Sequence, residues 1–320
     1  MRLVTTVLSL AIALVPCATL GQAYPTKPIR MIVPFPAGGT SDVIGRTLGQ
    51  KLTEAWGQNV LVDNRSGVAG SIGAAATAKA PPDGYTLVVG NVGPIAVNPS
   101  IYKSVGYDSL KDFTPITLAV TAPQLVVVHP SVPAKTFRDF SALVKQHGKI
   151  NYGSSGPGSI SHLAAELYKR ITKTNMLHVP YKGSALITIA LLAGEVDVVF
   201  SDMAVVLPHV QAGKLRALAV TSLKPTPLVP GVPSVAESGV PGFDMTSWWG
   251  VLGPAGMPQP IVGQLNKELG RILQLADVRK QFATLGVDAT TSTPEEFASL
   301  VKREVAKYEK LTAEIGIEKQ

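Results

Sequence analysis

Short apolar runs that close in glycine-rich turns and open directly into helical patterns recur along this chain. That alternation restricts it to a few folds. Ile29–Phe35 (IRMIVPF), Asn59–Asp63 (NVLVD) and Tyr85–Gly90 (YTLVVG) read as strands. A helix is predicted over Gly45–Trp56, where Ile44, Leu48, Leu52 and Ala55 follow helical spacing. Gly73–Ala80 is a second helix, of small residues, ended by Pro81-Pro82-Asp83-Gly84. The pattern restarts at Phe113–Val128, with a strand at Leu125–Val128 and a helix at Phe137–Gln146. Strands at Ile150–Gly153, Met176–Val179, Val196–Phe200 and Leu215–Val220 then alternate with helices at Ser159–Thr172 and Gly183–Ala193. Strand–helix alternation of this kind predicts an α/β fold with largely parallel sheets.

A proline-rich stretch follows, Lys224–Gly242, with Pro225, Pro227, Pro230, Pro233 and Pro241. So long a loop inside one compact domain is unusual, so it is expected to run between domains. Trp248–Gly253 is strand-like, and helices are predicted over Pro258–Leu275, Asp277–Leu285 and Pro294–Ile315. The last has Thr293 as its N-cap, Pro294 in the first turn and Glu295-Glu296 at the positive end of the dipole. Its stripe of Phe297, Leu300, Val301, Val305 and Tyr308 is a core face. This layout takes the chain out of a first lobe near residue 122 and back near 244. The first lobe is then 24–122 with 244–320, the second is 123–243, and hinges fall at Val120–Pro123 and Asp244–Trp248.

Residues 1–23 (MRLVTTVLSLAIALVPCATLGQA) combine Arg2, an apolar run from Leu3 to Val15, the helix breaker Pro16 and small residues at Gly21 and Ala23. This is the pattern of a cleavable secretory signal peptide, too short for a comfortable membrane span. Leu14-Val15-Pro16-Cys17 also resembles a lipobox, although Pro16 is a poor residue before the cysteine. Cleavage removes the single cysteine, Cys17, and lowers the formal net charge from +7 to +6. A thiol-free mature chain suits an oxidising compartment and builds neither a disulfide nor a cysteine metal site. Its basic residues are dispersed, and the densest group, Val301–Lys310, is interrupted by Glu304 and Glu309. With no aromatic and arginine platform, nucleic-acid binding is excluded, and the positive balance serves solubility and the attraction of anions.

Three glycine-rich connections join a strand to a helix: Pro34–Asp42 (PFPAGGTSD), Gly153–Ser159 (GSSGPGS) and Val179–Ser184 (VPYKGS). In the first, Gly38 and Gly39 allow close approach of the backbone, and Thr40, Ser41 or Asp42 can cap the helix. Unpaired N–H groups and the helix dipole there favour an anion. Neither the phosphate-loop pattern nor the dinucleotide spacing occurs. Three such turns in one chain point to a carboxylate or phosphate cradle.

PFPAGGTSD, DNRSGVAGSIGA, PPDGYTL, YGSSGPGSISHLA, HVPYKGS, LPHVQAGKLRALAVTS, PSVAESGVPGF and GPAGMP, in that order, resemble the Bug-type (TctC-like) periplasmic receptors of tripartite tricarboxylate transporters. The resemblance covers about residue 25 to residue 318. It implies a two-lobed type II periplasmic-binding-protein fold that holds a di- or tricarboxylate, an amino acid or an aromatic acid in its cleft. It implies a first-lobe grip at Phe35, Ala37, Gly38, Gly39 and Asp42, and a second-lobe grip at Ser154, Ser155, Gly158 and Ser159, with Tyr181 and Lys182 nearby. Partners would be the small carboxylate and the transporter's membrane components. A monomer with no cofactor and no metal is expected. Many relatives read Phe-Asp-Asn where this chain reads Phe200-Ser201-Asp202. Ser201 and Asp202 are therefore candidates for the far end of the ligand. Neighbours on a strand face opposite ways, so if Ser201 faces the cleft, Asp202 faces away. A neutral Ser201 would suit a second carboxylate or a hydroxyl.

An enzyme reading stays open beside the receptor. His162 and Glu166 share a helix face, as a metal pair, a general base or a structural contact, but no H-E-x-x-H or G-x-S-x-G motif occurs. His129, His147, His178 and His209 are scattered. Trp248-Trp249 suit either the hinge core or stacking on a ligand. A secreted hydrolase or isomerase acting on a small carboxylic acid is the alternative. Export is expected to leave Tyr24 as the first residue. Intact-mass measurement of the secreted protein checks this, and a retained Met1 or a lipid on Cys17 would refute it.

Overall fold

The computed structural model describes residues 24–147, 150–181 and 184–319. The predicted leader, its expected cleavage site and Cys17 lie outside the described residues. The first βαβ units are β1 (Ile29–Val33), α1 (Thr40–Trp56), β2 (Val60–Asn64), α2 (Ser71–Ala78) and β3 (Thr86–Asn91). Strand β1 pairs in parallel with both β2 and β3. A π-helical turn at Gly93–Val97 and the short α3 (Asn98–Ile101) follow β3. Then comes β4 (Phe113–Val128), 16 residues long, much longer than the segment predicted at Leu125–Val128.

The second lobe contains α4 (Phe137–His147), β5 (Asn151–Ser154), α5 (Ile160–Thr172), β6 (Leu177–Pro180), α6 (Ser184–Leu192), β7 (Val198–Asp202), α7 (Met203–Gln211) and β8 (Arg216–Val220). Strand β5 lies parallel between β6 and β7. The chain returns through β9 (Thr246–Pro254), α8 (Gln259–Leu273), α9 (Ala276–Thr284), β10 (Asp288–Ala289) and α10 (Pro294–Glu314).

The expectation of largely parallel sheets holds for these βαβ units. The strands at the crossing differ. Strand β9 is antiparallel to β3 and β4, and β4 is also antiparallel to β7 and β8. From Phe113 to Pro123, β4 bonds to β9; from Gln124 onward it bonds to β7 and β8. One strand thus belongs to both halves of a two-lobed sheet with the order β2-β1-β3-β9-β4-β7-β5-β6.

The proline-rich stretch does not bridge freely between lobes. It packs along β8, where Val220 N–H donates to the Pro233 carbonyl and Val235 N–H to the Val220 carbonyl, both at 2.9 Å. Val235, Val240 and Phe243 are buried there. Helix α7 was not legible because Pro208 interrupts its apolar pattern.

Alternation along the strands builds the cores. Ile32 and Val88 join a cluster with Leu252, Val126 and Phe200, while Met31, Val33 and Val89 face Leu48, Leu265 and Phe282. Helix α10 begins at a complete capping box: the Thr293 hydroxyl accepts from Glu296 N–H at 3.1 Å, and the Glu296 carboxylate accepts from Thr293 N–H at 2.9 Å. Its Phe297 meets Trp248 edge to face, with ring centres 5.5 Å apart.

That contact requires a bare backbone at Gly250, where a Cβ would lie 2.2 Å from the Phe297 ring and 2.8 Å from the Thr117 carbonyl oxygen. Gly250→Ala is expected to destabilise the protein by about 1–3 kcal/mol through overpacking. Gly263→Ala in α8, where a Cβ meets nothing within 4 Å, is expected to stabilise it by up to about 1 kcal/mol. Denaturant unfolding of both variants checks the contrast.

Candidate functional site

A cavity of about 320 Å³ opens between the lobes. The first lobe contributes Phe35, Asn91, Asn98 and Tyr102, and the second contributes Ser155, Pro157, Gly158, Ser159 and Asp202. Gln124 on β4, with Ser247 and Trp249 on β9, completes the lining from the crossing strands. A further recess of about 410 Å³, lined by Ala37, Gly39, Thr40 and Ser41, shares Phe35 and Asn91 with it.

The first loop is held by a carboxylate from behind. Asp42 Oδ2 accepts from Gly38 N–H and from Arg46 Nε, each at 2.9 Å, and Oδ1 accepts from Asn64 Nδ2 at 2.9 Å. Asn64 also donates to the Phe35 carbonyl at 3.0 Å. Asp42 is buried and lies off the cavity lining, so it clamps the loop. Gly38 spends its N–H on that clamp and has φ +87°, which favours glycine. Helix α1 begins a turn earlier than predicted, capped by Gly39 rather than by a side chain. The N–H groups of Asp42 and Val43 bond to the Gly39 carbonyl. Among the described residues no acceptor meets those of Gly39, Thr40 and Ser41. Trp249 Nε1 donates to Ser41 Oγ at 2.8 Å, tying the crossing strand to this turn.

Serines and stacked rings hold the second loop. Ser159 caps α5, accepting from His162 N–H at 3.3 Å, and its hydroxyl donates to the Gly156 carbonyl at 2.6 Å. Ser161 Oγ accepts from Ser155 N–H at 2.9 Å. Ser154 is fully buried beneath the loop and shares a 2.6 Å hydrogen bond with His178 Nε2. The His162 and His178 rings stack with centres 4.3 Å apart, and Tyr152 stacks on His178 at 4.9 Å. Gly158 N–H donates to His162 Nδ1 at 3.2 Å, which requires that nitrogen to be unprotonated. Burial, with the His178 charge adding to it, pushes the His162 pKa down to about 4.

Glu166 accepts from Tyr152 at 2.5 Å and from Lys169 at 2.7 Å. Burial acts to raise its pKa, but these bonds and the Lys169 charge outweigh it and hold the carboxyl below its usual range. His162 and Glu166 therefore support the loop from behind. Among the described residues no three His, Cys, Asp or Glu side chains converge on a metal position.

Tyr181 lies off the cavity. Its N–H donates to the Ser154 carbonyl at 2.9 Å and its hydroxyl to Glu195 at 3.3 Å. Lys182 lies outside the described residues. At the end of β7 the alternation rule operates, with Asp202 on the cavity side. Asp202 lines the cavity, whereas Ser201 is 1% exposed and its hydroxyl meets no partner. The register sets this phase: Asp202 pairs with Gln124, and Ser201 pairs with Leu125.

Sequence reasoning did not single out Asn91, Asn98, Gln124 or Ser247. A polar Gln124 inside the apolar run Ala122–Val128 was the available signal. Asn91 sits at the carboxyl end of β3, where open α/β sheets place ligands. Trp248 enters one core cluster; Trp249 is packed in the other and also borders the cavity.

Burial works to raise the Asp42 pKa, but hydrogen bonds from Arg46, Gly38 and Asn64 and the Arg46 charge hold it below the usual carboxylate value. Its stabilising contribution is therefore present above the unfolded-state pKa and lost as pH falls through the depressed folded pKa. Asp42→Asn is expected to remove this acid-side loss and to weaken the loop at neutral pH. Unfolding free energies of both proteins across the acidic range check it.

Comparison with known proteins places these features in a wider group. A family profile described as Tripartite tricarboxylate transporter family receptor matches residues 44–317. Protein BugT of Bordetella pertussis (strain Tohama I) is 35% identical, over 92% of this chain and 91% of its own length. An R. palustris protein solved with adipate aligns with a TM-score of 0.80 at 36% identity, covering 93% of this chain and 100% of that one. MatC from Rhodopseudomonas palustris, solved with bound malate, gives 0.75 at 31% identity, covering 90% of this chain and 99% of its own.

Proposed function

This chain belongs to the tripartite tricarboxylate transporter receptor family, and on that footing we propose that it captures a small organic carboxylate between its lobes and delivers it unchanged to the membrane components of such a transporter. One observation carries the reading. Helices α1 and α5, one from each lobe, both begin at glycine-rich turns beside the shared cavity and recess. Their first-turn N–H groups and dipoles favour an anionic group. Phe35, Ala37, Gly39, Ser155, Gly158 and Ser159 are the loop residues that approach the acid. Gly38, Asp42, Ser154 and Tyr181 hold those loops in shape.

The lobes are residues 24–122 with 244–320, and 123–243. The partner change along β4 between Pro123 and Gln124 supports this division. Closure takes place about Val120–Pro123 and Asp244–Trp248. The receptor works as a monomer in the periplasm after loss of the leader. Among the described residues no helix is long and apolar enough to cross a membrane.

Binding without chemistry separates this reading from a secreted hydrolase or isomerase. A bound acid at about 100 times its dissociation constant is expected to add about 2.7 kcal/mol to stability. Thermal unfolding against a panel of organic acids, followed by NMR of the recovered acid, checks both points. No stabilisation by any acid would refute the receptor, and conversion of the acid by substoichiometric protein would favour the enzyme.

A further inference from the structure

Opposite its loop turns, the cavity presents oxygen acceptors. Gln124 is 3% exposed, and its Oε1 is buried with no donor. Such atoms in folded proteins nearly always find a partner, because an unmade hydrogen bond in the interior is costly. Asp202 is its direct cross-strand neighbour, so both side chains leave the sheet on the same face. The Asp202 carboxyl accepts from Ser184 Oγ at 3.1 Å. Among the described residues that line the cavity, none is basic.

We propose that Asp202 and Gln124 form the specificity end of the cavity. They select a carboxylate whose far end carries a hydrogen-bond donor, an ammonium or a hydroxyl, over one that ends in a second ionised carboxylate. This rests on the receptor reading above. An ammonium or hydroxyl gives the unpartnered Gln124 oxygen its donor and satisfies Asp202 as well. A second carboxylate offers acceptors only and sets like charges together. It fits only when the pair takes up a proton.

The groups set against Asp202 are Gln124 from β4 and Ser184 from α6, and no charged side chain among the described residues acts on it. Asp202 is open to solvent at the wall of the cavity; a ligand that covers it strips its water and raises its pKa, and the bond from Ser184 opposes the rise. Dicarboxylate binding coupled to the uptake of one proton weakens by about tenfold per pH unit above the pKa of the free site. Binding of a donor-ended acid instead weakens on the acid side, as Asp202 loses its charge.

Titration calorimetry tests this with hexanoate, its ω-hydroxy and ω-amino derivatives and adipate, together with the four-carbon series. Each is measured between about pH 5 and about pH 8 with the native protein and with Asp202→Asn. At the upper pH the donor-ended acids are expected to bind at least about tenfold more tightly than the dicarboxylates or the plain acids. Asp202→Asn is expected to weaken the ω-amino acid by about tenfold or more, to strengthen the dicarboxylate and to flatten its pH dependence. A larger loss for the ω-amino than for the ω-hydroxy acid identifies ammonium as the preferred donor; equal losses show that Asp202 takes either donor alike.

A dicarboxylate that binds the native protein most tightly, with pH-independent affinity, overturns the inference and leaves the receptor reading intact. Absence of binding by every acid overturns both. If Asp202→Asn shows no cooperative thermal transition, the native pH series decides alone.

Discussion

The partner change along β4 is the constraint on which the molecule depends. Proline at position 123 has no N–H to donate, and the strand bonds to β9 up to that residue and to β7 and β8 beyond it. Because one strand serves both sheets, the lobes share a backbone where they meet. Gln124 follows the change directly, and Ser247 and Trp249 stand on β9 alongside. The cavity floor is therefore made by the crossing itself. Its polar groups sit where the two sheets join.

Above that floor, two loops of similar sequence logic are made rigid by different chemistry. In the first lobe a buried carboxylate, Asp42, gathers a backbone N–H, a guanidinium and an amide. Charge-assisted bonds of this kind are strong and set the loop's shape without using the cavity face. In the second lobe the anchors are hydroxyls and stacked neutral rings, with His162 accepting the Gly158 N–H. Both arrangements leave helix N-terminal N–H groups for a ligand. That suits any carboxylate equally, so discrimination falls to the acceptors at Gln124 and Asp202.

Much of this was legible in the chain. The strand–glycine–helix alternation located nearly every βαβ unit, because apolar period and turn chemistry are local properties. The N-cap at Thr293 and the apolar stripe of α10 were readable for the same reason. Helix α7 and the full length of β4 were not, since Pro208 and Pro123 look like breaks until neighbouring elements accommodate them. The loops that line the cavity were found by their glycines. The loop residues that brace them, Asp42, Ser154 and Tyr181, carry the same sequence signal and cannot be told apart from the lining by spacing alone.

The ending of β7 shows where local information stops. Alternation requires Ser201 and Asp202 to face opposite ways, and that rule is written in strand geometry. Which of them faces the ligand depends on a phase set by the pairing of Gln124 with Asp202 across β4, between residues far apart in the chain. The sequence by itself determined the α/β units, the glycine turns and the two candidate residues. Only the tertiary structure decided that Asp202 and Gln124 meet in the cleft while Ser201 is buried, because register is a property of two strands and not of either one.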